Sequence, residues 1–488
     1  MVIESLKYKI LQQFGFAPTQ EQGQALDTFV SFLTDRDPQA VMILRGSAGT
    51  GKTSLSGAIV RTLLQIRQKV MLLAPTGRAA KVFSLGSGAP AYTIHRRIYR
   101  EKAFAGVDGQ FSLNDNLYTD TLFMVDEASM IANMGLGGTT FGSGCLLDDL
   151  VKFVYQGHND RLLLIGDKAQ LPPVGEEESP ALSASVMEGY GLKVYECDLN
   201  EVLRQSQSSG ILYNATLIRQ MITHDAVTGL PLIRFKGFAD IVMMPGAELV
   251  ESLGDSYHHV GLDETMVITR SNKRANIYNN GIRNMVLDRE EELSSGDMLM
   301  IVKNNYFWTE KEKKESGEGS AGAVPAFLAN GDRAKVLRVS NYIELYGFRF
   351  ATLLLQLPDY DDYEMQVTGM LDTLQSEAPA LTHEQQEELF RQVEEDYQYF
   401  VPLKADRMKS IRQDAYFNAL QIKYAYAVTC HKAQGGQWAH VYVDQGYMTD
   451  DMLTPDYIHW LYTAFTRATE KLFLVNWPKE QTCKSEEE

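Results

Sequence analysis

The chain has 488 residues, of which 44% are hydrophobic and 22% are charged. These proportions are typical of globular proteins, and the length exceeds what one hydrophobic core serves, so we expect two to four domains. Taken alone, a net charge of −17 argues against a nucleic-acid binder. It does not exclude a local basic groove, because the stretch 358–400 alone contributes −11 and leaves −6 for the rest.

The apolar runs and the cysteines indicate a soluble, cytoplasmic protein. Apolar runs such as 122–125 and 162–165 are far too short to span a bilayer, and neither end resembles a signal peptide. The four cysteines are Cys145, Cys197, Cys430 and Cys483. They form no C-x-x-C pair, so we expect neither a zinc site nor a disulfide framework.

The first part of the chain alternates strand and helix patterns. Residues 1–33 carry apolar residues at helical spacing. The predicted elements that follow are strands at 41–44, 69–74, 122–126 and 161–166, and helices at 55–66 and 77–83. This order predicts a parallel sheet that is covered on both faces. The segment 96–120 interrupts it with a predicted hairpin around a Gly/Asp turn.

A second alternating block begins near residue 204. Its predicted elements are strands at 264–269, 424–429, 440–444 and 472–476, and a helix at 273–285. A β-rich insert over about 294–413 interrupts this block. Its predicted elements are strands at 298–302, 332–339 and 342–357, a polar loop at 310–322, and an acidic helix at 382–399 that opens with a capping box. We therefore divide the chain into domains at 1–203 and 204–488.

The most specific pattern is a phosphate-binding loop (P-loop) between the first predicted strand and the next helix. Residues Gly46, Ser47, Ala48, Gly49, Thr50, Gly51, Lys52 and Thr53 fit G-x-x-x-x-G-K-[ST]. The glycines let backbone N–H groups converge, and the helix N-terminus adds partial positive charge. Lys52 is expected to contact the β- and γ-phosphates, and the Thr53 hydroxyl to hold Mg²⁺. The alternative is a glycine-rich turn.

Two later strands end in residues that suit hydrolysis. The string F-M-V-D-E-A-S-M at 123–130 places Asp126 to hold Mg²⁺ and Glu127 to polarise the attacking water. In G-D-K-A-Q-L-P-P-V at 166–174, Gln170 is suited to sense the γ-phosphate or position water. Ligands bind at the carboxyl ends of strands in open α/β sheets, so we expect these groups beside the P-loop.

Four further strings complete an ordered set. They are A-P-T-G-R-A-A at 74–80, L-R-Q at 203–205, Y-A-V-T-C-H-K-A-Q-G at 426–435 and Y-T-A-F-T-R-A at 462–468. Over roughly 16–475 the chain resembles superfamily 1 (1B) DNA helicases of the RecD/Dda-like class. The resemblance implies two tandem RecA-like P-loop domains, with a small hairpin insert (1B) in the first and an SH3-like β-rich insert (2B) in the second. It also implies ATP-driven, 5′→3′ movement on DNA.

The resemblance assigns further roles at the ATP site. Arg204 and Arg467, both in the second domain, are expected to point at the γ-phosphate, where the rigid donor fork of arginine suits a phosphoryl transition state. Gln22 is expected to read adenine, although T-x-x-Q at 19–22 also fits a capping box. Gly435 and Gln437 stand where many relatives carry a residue that reaches the ribose, which leaves discrimination between sugars open.

The DNA-facing residues also follow from the resemblance. They are Pro75, Thr76, Thr93 and His95 in the first domain, and Thr429, His431 and Lys432 in the second. Hydroxyls, amides and short cations suit phosphate contacts that are independent of sequence. For the two histidines a structural role is the alternative. In the hairpin, Phe104 or Phe111 could stack on a base or wedge the duplex, or belong to a core.

Three functions remain open from the sequence. The leading one is an ATP- and Mg²⁺-dependent DNA helicase of replication, recombination or repair that acts as a monomer on single-stranded DNA and duplex junctions. The others are an ATP-switched nucleic-acid clamp or remodeller that does not unwind, and a helicase of RNA or RNA–DNA hybrids. The acidic segment 358–400 is expected to face away from DNA, either as a solvated helical face or as a protein-binding surface.

Overall fold

A computed structural model gives the structure of the protein, and it describes residues 2–105, 108–135, 142–201, 208–223, 229–316, 324–325 and 327–483. The helices are α1 (Val2–Phe14), α2 (Gln20–Leu33), α3 (Lys52–Gln65), α4 (Gly77–Ser87), α5 (Ile94–Ile98), α6 (Leu146–Gln156), α7 (Ala184–Gly189), α8 (Gly210–Thr223), α9 (Leu249–His259), α10 (Asn272–Gly281), α11 (Phe307–Ser316), α12 (His383–Phe400), α13 (Lys404–Arg412), α14 (Cys430–Ala433) and α15 (Pro455–Phe465).

The strands fall into two sheets, a barrel and a hairpin. They are β1 (Ala40–Gly46), β2 (Lys69–Ala74), β3 (Ala91–Thr93), β4 (Tyr99–Ala105), β5 (Asp108–Leu113), β6 (Thr121–Val125), β7 (Arg161–Gly166), β8 (Lys193–Leu199), β9 (Ile241–Met244), β10 (Thr265–Thr269), β11 (Met298–Ile301), β12 (Arg333–Leu345), β13 (Phe348–Leu357), β14 (Tyr363–Met370), β15 (Leu420–Tyr424), β16 (Ala427–Thr429), β17 (Trp438–Asp444) and β18 (Ala468–Val475).

The first domain is built on a six-stranded parallel sheet with the order β3-β2-β6-β7-β1-β8. Every residue of β1, β6 and β7 is buried, because helices cover both faces. One apolar core lies under α1, α2 and α3, and the other under α6 and α7. The fold class predicted from the strand and helix rhythm is confirmed.

The second domain contains a parallel sheet, β16-β10-β17-β18-β9, and a closed barrel, β11-β12-β13-β14-β15. The predicted single strand at 424–429 is wrong. The chain instead forms β15, which closes the barrel, and then β16, which joins the sheet. The insert predicted to end near residue 413 therefore extends to Tyr424, because the barrel closes only with β15.

Two further predictions inside the insert need correction. Residues 310–316 of the predicted polar loop are helical and form the last seven residues of α11, which begins with Phe307 and Trp308. The predicted strand at 342–357 is split by a turn at Tyr346 and Gly347, both with positive φ. The helix predicted at 382–399 is confirmed as α12 with its capping box. Within the described ranges, no helix has the length and apolar character needed to cross a membrane.

Candidate functional site

The P-loop joins β1 to α3 at the carboxyl edge of the first sheet. Gly49 and Gly51 have φ of 77° and 80°, a left-handed conformation that glycine adopts without strain. Lys52 Nζ donates to the carbonyl oxygens of Gly46 at 2.5 Å and Ser47 at 2.9 Å. A Cβ at Gly46 would come within 2.9 Å of the Lys52 side chain. Gly46 therefore leaves room for the Lys52 side chain to lie across the loop.

Gln22 is held between its helix cap and the P-loop. Its side-chain oxygen accepts from the Thr19 N–H, and its amide nitrogen donates to the Thr50 carbonyl at 2.9 Å. The capping box at 19–22 is confirmed, and Gln22 is 1% exposed. Reading adenine would require the amide to leave these partners, so that role stays a prediction, whereas the support of the P-loop is a contact that sequence reasoning missed.

Two adjacent carboxylates, Asp126 and Glu127, directly follow strand β6. Asp126 accepts from the Glu127 N–H at 2.9 Å, and Glu127 has a φ of 53°. A positive φ at a non-glycine residue costs about 1–3 kcal/mol and persists where the surroundings enforce it, often at active sites. Burial and the Glu127 carboxylate raise the pKa of Asp126 to about 7.

The second domain places Arg467 opposite Glu127. Arg467 Nη1 lies 4.0 Å from Glu127 Oε1 and donates to the Gly436 carbonyl at 3.1 Å. With its amide oriented to satisfy both neighbours, Gln170 donates to Glu127 at 3.2 Å and accepts from Arg467 at 3.1 Å. Three residues that the sequence analysis singled out from distant motifs therefore form one cluster. Arg204, the other expected arginine, lies outside the described residues.

Tyr462 is a further site residue that sequence reasoning missed. Its hydroxyl donates to Asp167 at 2.6 Å and accepts from the Ala48 N–H of the P-loop at 3.0 Å. Burial and the Asp167 carboxylate raise the pKa of Tyr462 well above its ordinary value, so the hydroxyl stays protonated. Its position inside Y-T-A-F-T-R-A was the available signal, but the string alone does not say which side chain crosses the cleft.

The loop after β7 is held by the second domain along its length. Thr463 Oγ1 accepts from the Leu171 N–H at 2.8 Å, and Gln434 donates to the Leu171 carbonyl at 2.7 Å. His459 Nδ1 lies 2.9 Å from the Ala169 carbonyl. This loop is therefore hydrogen-bonded to α15 of the second domain at two points, Thr463 and His459.

The residues expected to hold Mg²⁺ offer oxygen donors only. Thr53 is exposed at the start of α3, and Asp126 keeps one carboxylate oxygen free of hydrogen bonds from the described residues. In the part of the chain that the structure describes, no three His, Cys, Asp or Glu side chains cluster to hold a metal by themselves. This donor set fits Mg²⁺, which binds through one or two carboxylates together with substrate phosphates.

Gly435 and Gln437 lie against the first domain at α4. A Cβ at Gly435, whose φ is +74°, would come within 3.0 Å of Ala79 Cβ and 3.1 Å of Thr76 Oγ1. The backbone carbonyl of Gln437 accepts from Arg78 at 3.0 Å. The structure thus shows these two residues at a contact between domains, and their role toward the ribose stays a prediction.

The expected DNA-facing residues of the first domain begin two helices. Pro75 precedes α4, and Thr76 caps it by accepting from the Ala79 N–H at 3.2 Å. Thr93 caps α5 in the same way. Burial lowers the pKa of His95 to about 4, so this histidine is neutral at physiological pH. A phosphate contact by His95 would therefore be a neutral hydrogen bond and not an ion pair.

The expected DNA-facing residues of the second domain surround the short helix α14. Thr429 precedes it without capping it through its side chain. His431 is exposed, and Lys432 donates to Asn330 of the insert at 2.5 Å. Burial, followed by the nearby Lys423, lowers the pKa of Lys432 to about 8. Lys432 thus lies under the barrel domain.

The hairpin predicted at 96–120 is present as β4 and β5. The Phe104 side chain lies outside the described part of the chain. Phe111 packs against Tyr306 with ring centroids 4.8 Å apart, and Tyr306 stacks on Phe327 at 4.7 Å. Phe111 therefore joins the hairpin to the barrel insert, and whether it also contacts a base stays a prediction.

The barrel also contacts the start of α4 through acidic residues. Asp359 lies 3.3 Å from Arg78 and 3.7 Å from Lys81, and Lys81 also donates to the Pro358 carbonyl. A Cβ at Gly77 would collide with Asp332 Oδ1, so a larger residue there would force the Asp332 side chain to move. Part of the acidic segment 358–400 thus packs against the first domain beside the expected DNA track, although the segment was expected to point away from it.

Sequence comparisons match parts of the chain to known families. The AAA domain family matches residues 17–229, and the UvrD-like helicase C-terminal domain family matches residues 424–475. An uncharacterised protein from Methanocaldococcus jannaschii is 33% identical over 168 residues, which cover 32% of this chain and 13% of that protein.

Two similar proteins are named as helicases. The ATP-dependent RecD2 DNA helicase of Deinococcus radiodurans is 30% identical over 32% of this chain and 18% of its own length. The ATP-dependent DNA helicase dda of Enterobacteria phage T4 is 25% identical over 53% of this chain and 55% of its own. The chain thus spans between about an eighth and about half of these three relatives. Among solved structures, a Pif1 helicase from Bacteroides in complex with ADP-AlF3 and ssDNA has a TM-score of 0.47 at 13% identity, covering 96% of this chain and 95% of its own.

Proposed function

We propose that this chain is an ATP-dependent DNA helicase that moves on single-stranded DNA. Its ordered motifs and matched domains resemble those of superfamily 1B helicases of the RecD/Dda-like class. The observation that carries the proposal is the cluster of Glu127, Gln170 and Arg467 at the P-loop. The first two come from the first domain and the third from the second. ATP hydrolysis at this cluster would therefore depend on how closely the two domains approach.

The chemistry proposed for the cluster is phosphoryl transfer to water. Lys52 and the P-loop amides would hold the phosphates, and Glu127 would orient and deprotonate the attacking water. Arg467 would stabilise charge on the γ-phosphate in the transition state. Mg²⁺, held by Thr53 and Asp126, would neutralise charge on the phosphates. Gln170 touches both Glu127 and Arg467, which suits it to report the γ-phosphate to both domains.

Coupling to movement follows from the contacts across the cleft. Tyr462 occupies the Ala48 N–H, a donor of the kind that binds phosphate, so an incoming nucleotide would displace it. Arg467 and the loop held by Thr463 lie on or next to the same helix, α15. Binding and release of the γ-phosphate would therefore move the second domain relative to the first.

The finer proposals rest on the family resemblance. Movement would run 5′→3′, the track would be single-stranded DNA, and phosphate contacts by Thr76, Thr93 and Lys432 would make it independent of sequence. A role in replication, recombination or repair follows from the same resemblance. Glutamine recognition of adenine by Gln22 would favour ATP over GTP.

The experiment measures ATPase activity with and without single-stranded DNA, and then the unwinding of duplexes with a 5′ or a 3′ tail. We expect DNA to stimulate hydrolysis and only the 5′-tailed duplex to be unwound. Stimulated hydrolysis without unwinding of either duplex would replace the helicase with an ATP-switched clamp. Stimulation by RNA instead of DNA would change the substrate class, and hydrolysis that ignores nucleic acid would refute the motor.

A further inference from the structure

An arginine outside every motif singled out from the sequence reaches the P-loop from the second domain. Arg219 lies on α8, which packs against α15, the helix that carries Tyr462. Its Nη1 donates to Ser47 Oγ at 2.9 Å and to Asn200 Oδ1 at 3.0 Å. Among the described residues, Arg219 and Arg467 are thus the two arginines that the second domain brings to the groups around the P-loop.

Ser47 connects Arg219 to the rest of the phosphate loop. Its side chain is buried, its carbonyl accepts from Lys52 Nζ, and the same carbonyl accepts from Thr50 Oγ1 at 2.8 Å. Arg219 donates to the Ser47 hydroxyl and does not occupy the backbone N–H groups of the P-loop. This differs from Tyr462, which occupies the Ala48 N–H. The Arg219 contact is therefore compatible with a phosphate in the loop, whereas the Tyr462 contact is not.

Asn200 connects Arg219 to the segment that leaves the first domain. Asn200 follows β8, and its N–H donates to Glu21 Oε2 at 2.5 Å, as does the N–H of Glu201 at 2.7 Å. Glu21 lies in the first turn of α2, next to Gln22. The Arg219 guanidinium therefore links helix α8 to two parts of the first domain. These are the P-loop, at Ser47, and the segment that leads to the second domain, at Asn200.

We propose that Arg219 is a positioning residue that acts through Ser47. It stabilises the arrangement in which α8 lies against the P-loop, here called the closed arrangement, and thereby tightens ATP binding. The proposal rests on the proposed function. The bond from Arg219 to Ser47 forms only when α8 is against the P-loop. An interaction present only in the closed state raises the affinity of any ligand that binds that state better, by the free energy of that interaction.

The test compares Arg219→Ala with the wild-type protein in nucleotide binding and in turnover. We expect affinity for a fluorescent, non-hydrolysable ATP analogue to fall by about tenfold or more, as for loss of a hydrogen bond to a charged group. The KM for ATP should rise by the same factor at saturating single-stranded DNA, with kcat within about twofold, because Arg467 and Glu127 are untouched. Arg219→Lys should restore part of the affinity.

The Ser47→Ala variant distinguishes an effect of the Arg219–Ser47 hydrogen bond from a general effect of losing a positive charge. If Arg219 acts through the Ser47 hydroxyl, Ser47→Ala weakens ATP-analogue binding similarly and the double variant is no worse than either single one. If the double variant lost affinity by the product of the two single losses, the proposal would be overturned. An Arg219→Ala protein with an unchanged KM for ATP, or with a loss confined to kcat, would also overturn it.

Arg234→Ala is the matched control, because Arg234 is also an arginine of the second domain and lies over Tyr213 of α8 at 5.4 Å, with no contact to the P-loop. It should leave analogue binding unchanged, and thermal unfolding of all variants checks that they fold. A wild-type protein without ATPase activity would refute the proposed function, whereas the binding measurement would still decide the role of Arg219.

Discussion

The ATP cleft and the contact between the barrel and the first domain both join remote parts of the chain, but they treat charge differently. In the cleft, Glu127 and Arg467 stay 4.0 Å apart, and Glu127 sits in a strained conformation. In the barrel contact, Asp359 lies 3.3 Å from Arg78 with its side chain 1% exposed. Charges held apart and under strain suit a ligand that is still to bind. A buried charge that is already paired is costly to leave without its partner, so the barrel contact resists separation of these two charges.

The comparison predicts that changes in the cleft act on turnover and changes in the barrel contact act on docking and DNA affinity. The largest effect is expected from Glu127→Gln, which keeps the shape of the side chain and removes the proposed base. We expect kcat for ATP hydrolysis to fall by about 100-fold or more while ATP binding survives. Lys52→Ala should lose both binding and turnover. Single-turnover hydrolysis and analogue binding separate these outcomes.

The control for Glu127→Gln is Glu188→Gln, which neutralises an exposed glutamate of α7 in the same domain. It should behave as the wild type. Normal hydrolysis by Glu127→Gln would show that another group activates the water.

The next effect is expected from Arg467→Ala. Loss of the guanidinium should lower kcat by about 100-fold, because an arginine aimed at a transferring phosphoryl group contributes at least this much. Arg467→Lys should recover little, since lysine lacks the planar donor fork. Steady-state kinetics at saturating ATP measure both variants.

Arg391→Ala, which removes an exposed arginine from α12, is the control for net charge. If Arg467→Ala kept the wild-type kcat, the transition-state charge would have to be stabilised elsewhere, and the sequence leaves Arg204 as the candidate.

The barrel contact predicts a pH-dependent stability through Asp332. Burial raises the pKa of Asp332 to about 7, although hydrogen bonds from Tyr360 and the Ala329 N–H act against it. The stability gained by the neutral carboxyl is fully present below its unfolded pKa of about 4 and is lost as pH rises through 7. Asp332→Asn should therefore gain stability over the wild type between pH 4 and 8, by the order of a few kcal/mol. Denaturant unfolding at a series of pH values measures the difference, and a constant difference would contradict it.

The smallest effect is expected from Asp359→Asn. Neutralising this carboxylate removes the negative charge that is paired with Arg78 and Lys81 beside Thr76, so single-stranded DNA should bind several-fold tighter and with a steeper salt dependence. Asp361→Asn, which neutralises an exposed neighbour, is the matched control. Fluorescence anisotropy over a salt series measures both. Equal salt slopes for the two variants would show that Arg78 and Lys81 do not face the DNA.

How much could be predicted from the sequence depends on how local each feature is. The capping boxes at 19–22 and 382–385 were predictable because hydrogen bonds between positions three apart define them. The break between β15 and β16 was not, because both pieces are apolar and only closure of the barrel separates them. The sequence predicts a loop over 310–316 because these Lys- and Glu-rich residues carry no apolar stripe. The buried contact of α11 comes from Trp308, in its first turn.

The sequence by itself determined where the P-loop, the two carboxylates after β6 and Arg467 in its motif lie along the chain, and it predicted their chemistry. Each of these needs particular residue types at fixed spacing next to a strand or helix end, and such spacing can be recognised in the amino-acid sequence. Only the tertiary structure decided what crosses the cleft. The bonds from Tyr462 to Ala48 and from Arg219 to Ser47 join residues 414 and 172 positions apart. Hydrogen-bonded residues so far apart in sequence are brought together by the packing of whole domains, so no local sequence pattern predicts these contacts.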